Sequence, residues 1–323
     1  MEIKDIRIVL MGTPDFAANS LKVLYQEKFN IVGVITAPDK LSGRGLKLKF
    51  SPVKKFCLDN NIPLLQPENL KDEIFISELK SLDGNLFVTV AFRMLPEIVW
   101  QMPSLGTINL HASLLPQYRG AAPINWAIIN GEKETGLTSF YIDEKIDTGH
   151  IIKTTKLDIN ENETAGELHD RLMFEGSNLL KTTIQEIGLG NVKAIKQSVF
   201  INENIHLKTA PKINKIDCKI NWNQINISVH NLIRGLSPYP CSFTELISPE
   251  NTKTLLKVYR SEISSEKISD KPGVIKSDGK TYLQISCALG SVNIIELQSA
   301  GKKRMKVDEF LRGFKNIKNY RIC

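Results

Sequence analysis

The sequence predicts an α/β chain, with a Rossmann-like N-terminal domain over residues 1–207 and an OB-like β-barrel domain over residues 208–323. Three observations predict it. Short apolar runs alternate with helical patterns through the first half of the chain. Short strand-like runs divided by turn residues fill the last third. The charge is split unevenly between the two parts. A chain of 323 residues is long enough to bury two cores.

Taken in order, residues 6–11 are continuously apolar, as expected of a parallel strand covered on both faces. Gly12-Thr13-Pro14-Asp15 then turns the chain, and Phe16, Leu21, Val23 and Leu24 give the next helix an apolar face. Residues 31–37, 86–91 and 107–112 read as further strands, with helical patterns between them at 53–57 and 74–82. Residues 150–159 read as a strand and 164–187 as a long helix carrying Leu168, Leu172, Leu179 and Leu180. The polar segment around Ala210-Pro211-Lys212 marks the boundary. After a helix at 225–236, strand-like runs follow at 241–247, 255–259, 273–275, 282–287 and 292–298, the spacing of a small barrel.

Hydrophobic residues make up 42% and charged residues 24%, the composition of a globular protein without a membrane partner. No run approaches the roughly 20 apolar residues of a membrane span, and Met1–Asp5 is no signal peptide. The five cysteines are scattered and lack CxxC spacing, which argues against a disulfide scaffold or a metal site and suits a reducing cytoplasm. The net charge of +7 is concentrated late: from Lys208 onward 20 basic residues face 10 acidic ones, against 22 and 25 before it. That asymmetry suits a polyanion-binding module joined to a near-neutral one, although a solvated basic face would also produce it.

The chemistry-bearing stretch begins at Thr107. Asn109 and His111 lie two apart on a strand, so both side chains leave the same face, at the carboxyl end where open α/β sheets hold ligands. Asp147, in Ile146-Asp147-Thr148-Gly149, offers a carboxylate in a turn that could fold back onto His111. An amide, an imidazole and a carboxylate with no neighbouring Ser or Cys nucleophile suit direct attack of an amine on a carbonyl. Asn109 and His111 would then stabilise the oxyanion, while Asp147 pairs with His111 and accepts the amine proton through a water. Read singly, Asn109 could simply close a turn and His111 could be a core histidine; the three together favour catalysis. No GxxxxGK[ST] or GxGxxG sequence is present, which argues against P-loop and dinucleotide binding.

Asn109-Leu-His111-Ala-Ser113-Leu-Leu-Pro116, Arg119-Gly120 and Asp147-Thr148-Gly149 resemble the signature of the folate-dependent formyltransferase family. The likeness extends to Met11-Gly-Thr-Pro-Asp-Phe16, Ser51-Pro52-Val53-Lys54, Gly120-Ala-Ala-Pro123 and Leu297-Gln-Ser-Ala-Gly-Lys-Lys-Arg-Met305, and so to nearly the whole chain. It implies that Asn109, His111 and Asp147 are the catalytic trio and that 10-formyltetrahydrofolate is the formyl donor. Initiator methionyl-tRNA would be the acceptor, no metal would take part, and the enzyme would be a cytoplasmic monomer. Folate contacts are implied at Phe92, Arg93, Met94 and Leu95, largely through the main chain, with Ser113, Leu114, Leu115 and Pro116 shaping the site. Phe92-Arg93 stands where many relatives have Tyr-Gly, Gln117-Tyr118 replaces a more basic pair, and His150 replaces an acidic residue.

Residues 38–50 carry Lys40, Arg44, Lys47 and Lys49 with Ser42, Gly43 and Gly45 as hinges, a cationic loop able to grip phosphates. The resemblance implies that this loop enters the acceptor stem, with Arg44, Lys47 and Lys49 on the RNA. Further tRNA contacts are expected from Lys208, Lys212, Arg234, Lys302, Lys303 and Arg304 on the barrel side. Two other readings remain open. Formyl transfer to a small amine, such as a sugar nucleotide or glycinamide ribonucleotide, keeps the trio but leaves the basic third unused. A non-catalytic RNA-binding protein would bind no folate.

Overall fold

The apolar runs of the first half become neighbouring strands of one sheet. The structure is a computed structural model that describes residues 5–42, 47–204, 206–265, 270–314 and 316–322, with the main chain alone at 41, 42, 47 and 48. In chain order the elements are β1 (Arg7–Gly12), α1 (Asp15–Gln26), β2 (Asn30–Ile35), β3 (Lys40–Ser42), β4 (Lys47–Lys49), α2 (Pro52–Asp59), β5 (Leu64–Leu65) and α3 (Glu73–Ser81). They continue with β6 (Leu86–Val90), α4 (Glu97–Trp100), β7 (Thr107–His111), β8 (Arg119–Gly120), α5 (Pro123–Ile129), β9 (Glu134–Tyr141), β10 (Ile151–Asp158) and α6 (Ala165–Gly188). The rest are β11 (Thr209–Ala210), α7 (Asn226–Gly235), β12 (Ser242–Ile247), β13 (Lys253–Ile263), β14 (Ile275–Ser277), β15 (Leu283–Ser286), β16 (Ser291–Ser299), β17 (Met305–Lys306), α8 (Val307–Gly313) and β18 (Arg321–Ile322).

The chain divides into two compact units. The first comprises residues 1–120, 135–157 and 170–209; the second comprises 121–134, 158–169 and 210–323. In the first, a seven-stranded sheet runs in the order β10-β9-β7-β6-β1-β2-β5. β1, β2, β5, β6 and β7 are parallel, and every residue of β6 is buried. Val9, Met11, Ile35, Phe75, Leu79 and Phe87 form the core on one side, each fully buried aliphatic side chain contributing roughly 1.5–3 kcal/mol. Ser51 caps α2 by accepting the Lys54 N–H at 3.0 Å, and Asp72 caps α3 through Phe75 N–H at 3.1 Å.

The sheet is mixed rather than wholly doubly wound, because β9 runs antiparallel to β7. The sequence reading assigned no strand to β9, which carries Thr135, Thr138 and Ser139 at buried positions. Their hydroxyls are satisfied inside: Thr138 Oγ1 donates to Ser113 O at 2.7 Å, and Ser139 Oγ lies 2.8 Å from Thr183 Oγ1. Buried polar side chains of this kind break the apolar run that a strand search relies on.

In the second unit, antiparallel strands run β14-β15-β16-β13-β12-β18, with β17 also paired to β16, making a nearly closed barrel. Its interior holds Trp222, Val229, Ile233, Leu256, Val258, Ile285, Ile294, Leu297 and Phe310. Trp222 Nε1 is satisfied there by Thr244 Oγ1 at 3.0 Å. At the start of α6, Thr164 N–H donates to Glu167 Oε2 at 2.9 Å and Glu167 N–H to Thr164 Oγ1 at 3.3 Å, a reciprocal capping box. Among the described residues no helix is long and apolar enough to cross a membrane. Cys57, Cys218, Cys241 and Cys287 are free and buried, and burial pushes the Cys57 thiol up to about 12.

His230 on α7 is buried with Nδ1 3.1 Å from Ser261 Oγ. Burial, and after it the Arg234 charge, lowers its pKa below the ordinary 6.5. The unfolded chain therefore takes up this proton first as pH falls. The stability that the neutral ring contributes is present above 6.5 and is lost as pH drops from there toward the folded-state value. Urea unfolding at a series of pH values is expected to show His230→Gln flattening that decline relative to the parent protein.

Candidate active site

The parallel register places Thr89 of β6 opposite Asn109 of β7. Thr89 Oγ1 donates to Asn109 Oδ1 at 2.8 Å, with Ile108 O as a second acceptor at 3.0 Å. With its carbonyl held by a hydroxyl, the Asn109 amide is fixed with Oδ1 toward Thr89. The polar interruption of the apolar run 86–90 was the signal for Thr89, but its partner is visible only in the register. Thr89→Val is expected to lower kcat about tenfold, roughly 1.4 kcal/mol, with little change in thermal stability. Steady-state kinetics with an unaltered rate would remove Thr89 from the site.

Two residues on, His111 is 6% exposed. Its Nε2 lies 2.9 Å from the carbonyl of Tyr118, which can only accept, so Nε2 carries a proton and donates it. Tyr118 reaches this position with a left-handed φ of 59°. Nδ1 then faces Asp147, 3.7 Å from Oδ2: near enough to pair with a charged ring, yet beyond a direct hydrogen bond. The Tyr118 carbonyl therefore orients the imidazole, and Asp147 supplies the neighbouring charge.

Asp147 is itself tightly held. Its φ is 56°, Oδ2 accepts Gly120 N–H at 2.9 Å, and its main-chain carbonyl accepts Gln197 Nε2 at 2.9 Å. Thr148 Oγ1 donates to Asp143 Oδ1 at 2.6 Å and closes the turn. Gly149 packs against the preceding strand so closely that a Cβ there would fall 1.7 Å from Tyr141 O. Of the three residues the sequence brings forward, the structure sets His111 and Asp147 side by side, and Asn109 lies two residues before His111 on β7. Gln197, on a 3-10 turn at Gln197–Phe200, was not singled out, because nothing in its local sequence distinguishes it.

The remaining expected site residues divide by exposure. Met94 and Arg93 are exposed and Phe92 is half-buried against the core. Arg93 donates to Pro67 O at 2.8 Å and to Glu68 O at 2.9 Å, so this departure from the family pattern ties two loops together. Leu95 and Leu115 are buried in apolar clusters, which leaves them only main-chain groups to offer a ligand. The main chain of 92–95 makes no backbone–backbone hydrogen bond to other described residues. Ser113 Oγ donates to Gln117 O at 2.6 Å and Pro116 follows a cis bond, while Leu114 is half-buried against Gly136. Among the described residues no cluster of His, Cys, Asp or Glu could hold a metal ion.

Of the basic residues, Arg44 and the Lys47 side chain lie outside the described residues. Lys49 is exposed on β4, paired opposite Lys40 of β3, so two short strands frame what the sequence suggested was wholly a loop. Lys54 pairs with Asp39 at the base of this hairpin and stacks over Phe50 at 4.3 Å. Lys208 is half-buried and its carbonyl accepts Tyr118 N–H at 2.7 Å. Lys212, Lys302 and Lys303 are exposed. Arg304 is ion-paired with Glu296 and stacks over Tyr259 at 4.4 Å.

Arg234 is corrected from a surface contact to an interior one. It is 5% exposed, donating to Asn231 Oδ1 at 2.9 Å, Glu163 O at 3.1 Å and Asn160 O at 3.3 Å. Burial is the largest influence on the guanidinium, and the charges of Glu163 and Glu161 oppose it.

Comparison with known proteins agrees with this geometry. Residues 6–184 match the formyl transferase family and residues 212–315 match the formyl transferase C-terminal domain. The methionyl-tRNA formyltransferase of Bacteroides fragilis is 50% identical over 314 residues, 97% of each chain. That of Bacteroides thetaiotaomicron is 48% identical over 324 residues, 100% of each. Among solved structures, WlaRD, a sugar 3N-formyl transferase determined with dTDP and 5-N-formyl-THF, superposes with a TM-score of 0.65 at 26% identity. The superposition covers 94% of this chain and 100% of that one. With both halves matched and half the residues shared with full-length relatives, the chain belongs to the formyl transferase family.

Proposed function

We propose that this chain transfers the formyl group of 10-formyltetrahydrofolate to the amino group of initiator methionyl-tRNA, giving N-formylmethionyl-tRNA for translation initiation. The observation that carries the reading is the His111–Asp147 pair at the end of β7, with Asn109 two residues earlier on the same strand, in a chain half identical to methionyl-tRNA formyltransferases over nearly its full length. The unspent main-chain groups of 92–95 suit the donor-and-acceptor edge of a pterin, with Phe92 and Leu114 beside it. Folate would supply the activated formyl carbon.

Asn109 Nδ2–H receives the carbonyl oxygen as the neutral amine adds to the formyl carbon, and His111 acts on the reacting centre from Nδ1, its one open nitrogen, beside Asp147. Asp147 accepts the proton lost by the amine, through a water, and returns it to the folate nitrogen as the bond from the formyl carbon to that nitrogen breaks. Removing one oxyanion donor of this kind costs on the order of 3 kcal/mol of barrier. Residues 1–207 act as the catalytic domain and 208–323 as the tRNA-binding domain, with Lys49, Lys212, Lys302, Lys303 and Arg304 on phosphates. The protein works as a cytoplasmic monomer.

Incubation with formyl-folate and charged initiator tRNA is expected to yield N-formylmethionine by mass spectrometry. The likeness to a sugar 3N-formyl transferase supplies the competing substrate: formylation of a dTDP-amino sugar but not of the tRNA would overturn the assignment.

A further inference from the structure

We propose that Gln197 is a positioning residue for the reaction, clamping the turn that presents Asp147; this rests on the reading of Asp147 as a catalytic group. Gln197 is 3% exposed, and its whole amide is committed within the first unit. One Nε2 proton goes to Asp147 O at 2.9 Å and the other to Gly149 O at 2.8 Å. Its Oε1 accepts from Arg119 Nε at 3.1 Å and Nη2 at 2.6 Å.

The two carbonyls flank Thr148, so one amide spans the turn from behind. Asp147 has a left-handed φ of 56°, a conformation an aspartate adopts at some cost and keeps only where its surroundings hold it. Gln197 supplies that hold on the main chain, and Gly120 N–H supplies it on the carboxylate. Arg119 joins the two. Its guanidinium fork fixes the Gln197 amide so that the protons face the carbonyls, and the next peptide N–H meets the carboxylate. Burial is the chief influence on Arg119, lowering its pKa, and Asp143 and Asp147 oppose it. A glutamine suits the site because it donates twice on one side and accepts on the other; glutamate cannot donate and arginine cannot accept.

The test compares Gln197→Glu, Gln197→Met, Arg119→Lys and Asp147→Asn in steady-state transfer from formyl-folate to charged initiator tRNA, with thermal unfolding alongside. Gln197→Glu keeps an ion pair with Arg119 and so keeps the segment docked, but offers the two carbonyls no proton. It is expected to lose about 10- to 100-fold in kcat, with KM for both substrates within about threefold of the parent. Gln197→Met, of similar volume, should lose at least as much. Arg119→Lys keeps the charge without the fork and should show the same kcat-selective loss to a smaller degree. A normal kcat in Gln197→Glu, or a loss confined to KM, would overturn the proposal. Should Asp147→Asn run at the normal rate, the catalytic reading of Asp147 falls and this one with it. A damaged Asp147→Asn beside a normal Gln197→Glu ends only the positioning role.

Discussion

Replacing His111 by alanine is expected to lower kcat by roughly 10²–10⁴-fold, about 3–5 kcal/mol of barrier, with tRNA affinity nearly unchanged. The ring is buried at the end of β7, so its loss removes the group we propose acts on the reacting carbonyl and little that an RNA backbone could touch. Asp147→Asn keeps an oxygen for Gly120 N–H but deletes both the charge and the basicity, so its loss, on the order of 10²-fold, reports the pairing with the ring and the uptake of the amine proton together. Single-turnover transfer combined with filter retention of tRNA separates the two quantities. Near-normal single-turnover rates in both variants would mean that the carbonyl is activated elsewhere.

Gly149→Ala is expected to cost about 10²-fold in kcat although the residue touches no substrate, because a displacement of about 1 Å in a catalytic group has that effect. The added methyl would lie 1.7 Å from Tyr141 O and 2.8 Å from Tyr141 C, both main-chain atoms of β9. Tyr141 N–H is in turn bonded to His150 O at 2.9 Å, so the strand cannot withdraw without breaking the closure of the turn. The turn itself must move and carry Asp147 with it. Overpacking of this kind also costs roughly 1–3 kcal/mol of stability, so the melting temperature is expected to fall along with the rate. An unchanged melting temperature and a normal rate would show that the backbone accommodates the methyl.

The parts of the fold legible in the sequence are those where burial and residue type agree. β1 and β6 are apolar almost throughout because both faces are covered, and they stand out as runs, whereas β7 alternates Ile108 and Leu110 with Thr107, Asn109 and His111. β9 forms no such run, because buried Thr138 and Ser139 separate Leu137 from Phe140, and their hydroxyls find their partners elsewhere in the chain. β13 spans eleven residues where the strand-like run covers only 255–259, since Lys253 and Arg260 bound the apolar part of an amphipathic strand. Within the site, the spacing of Asn109 and His111 is a property of a strand and could be read directly. The hold of Tyr118 on the ring and of Gln197 on the turn depends on chain reversals that leave no periodic trace. Arg234 misled for the same reason: an arginine in a basic domain is expected on phosphates, while its acceptor carbonyl at Glu163 lies 71 residues earlier.

The tether between His111 Nε2 and the Tyr118 carbonyl makes the imidazole a dead end for proton traffic. A histidine open at both nitrogens can pass a proton across its ring from one side to the other, whereas this one can load and unload only at Nδ1. In the reaction we propose, any proton the ring lends returns through the same atom, on the side of Asp147, and the amine's hydrogen leaves along that carboxylate.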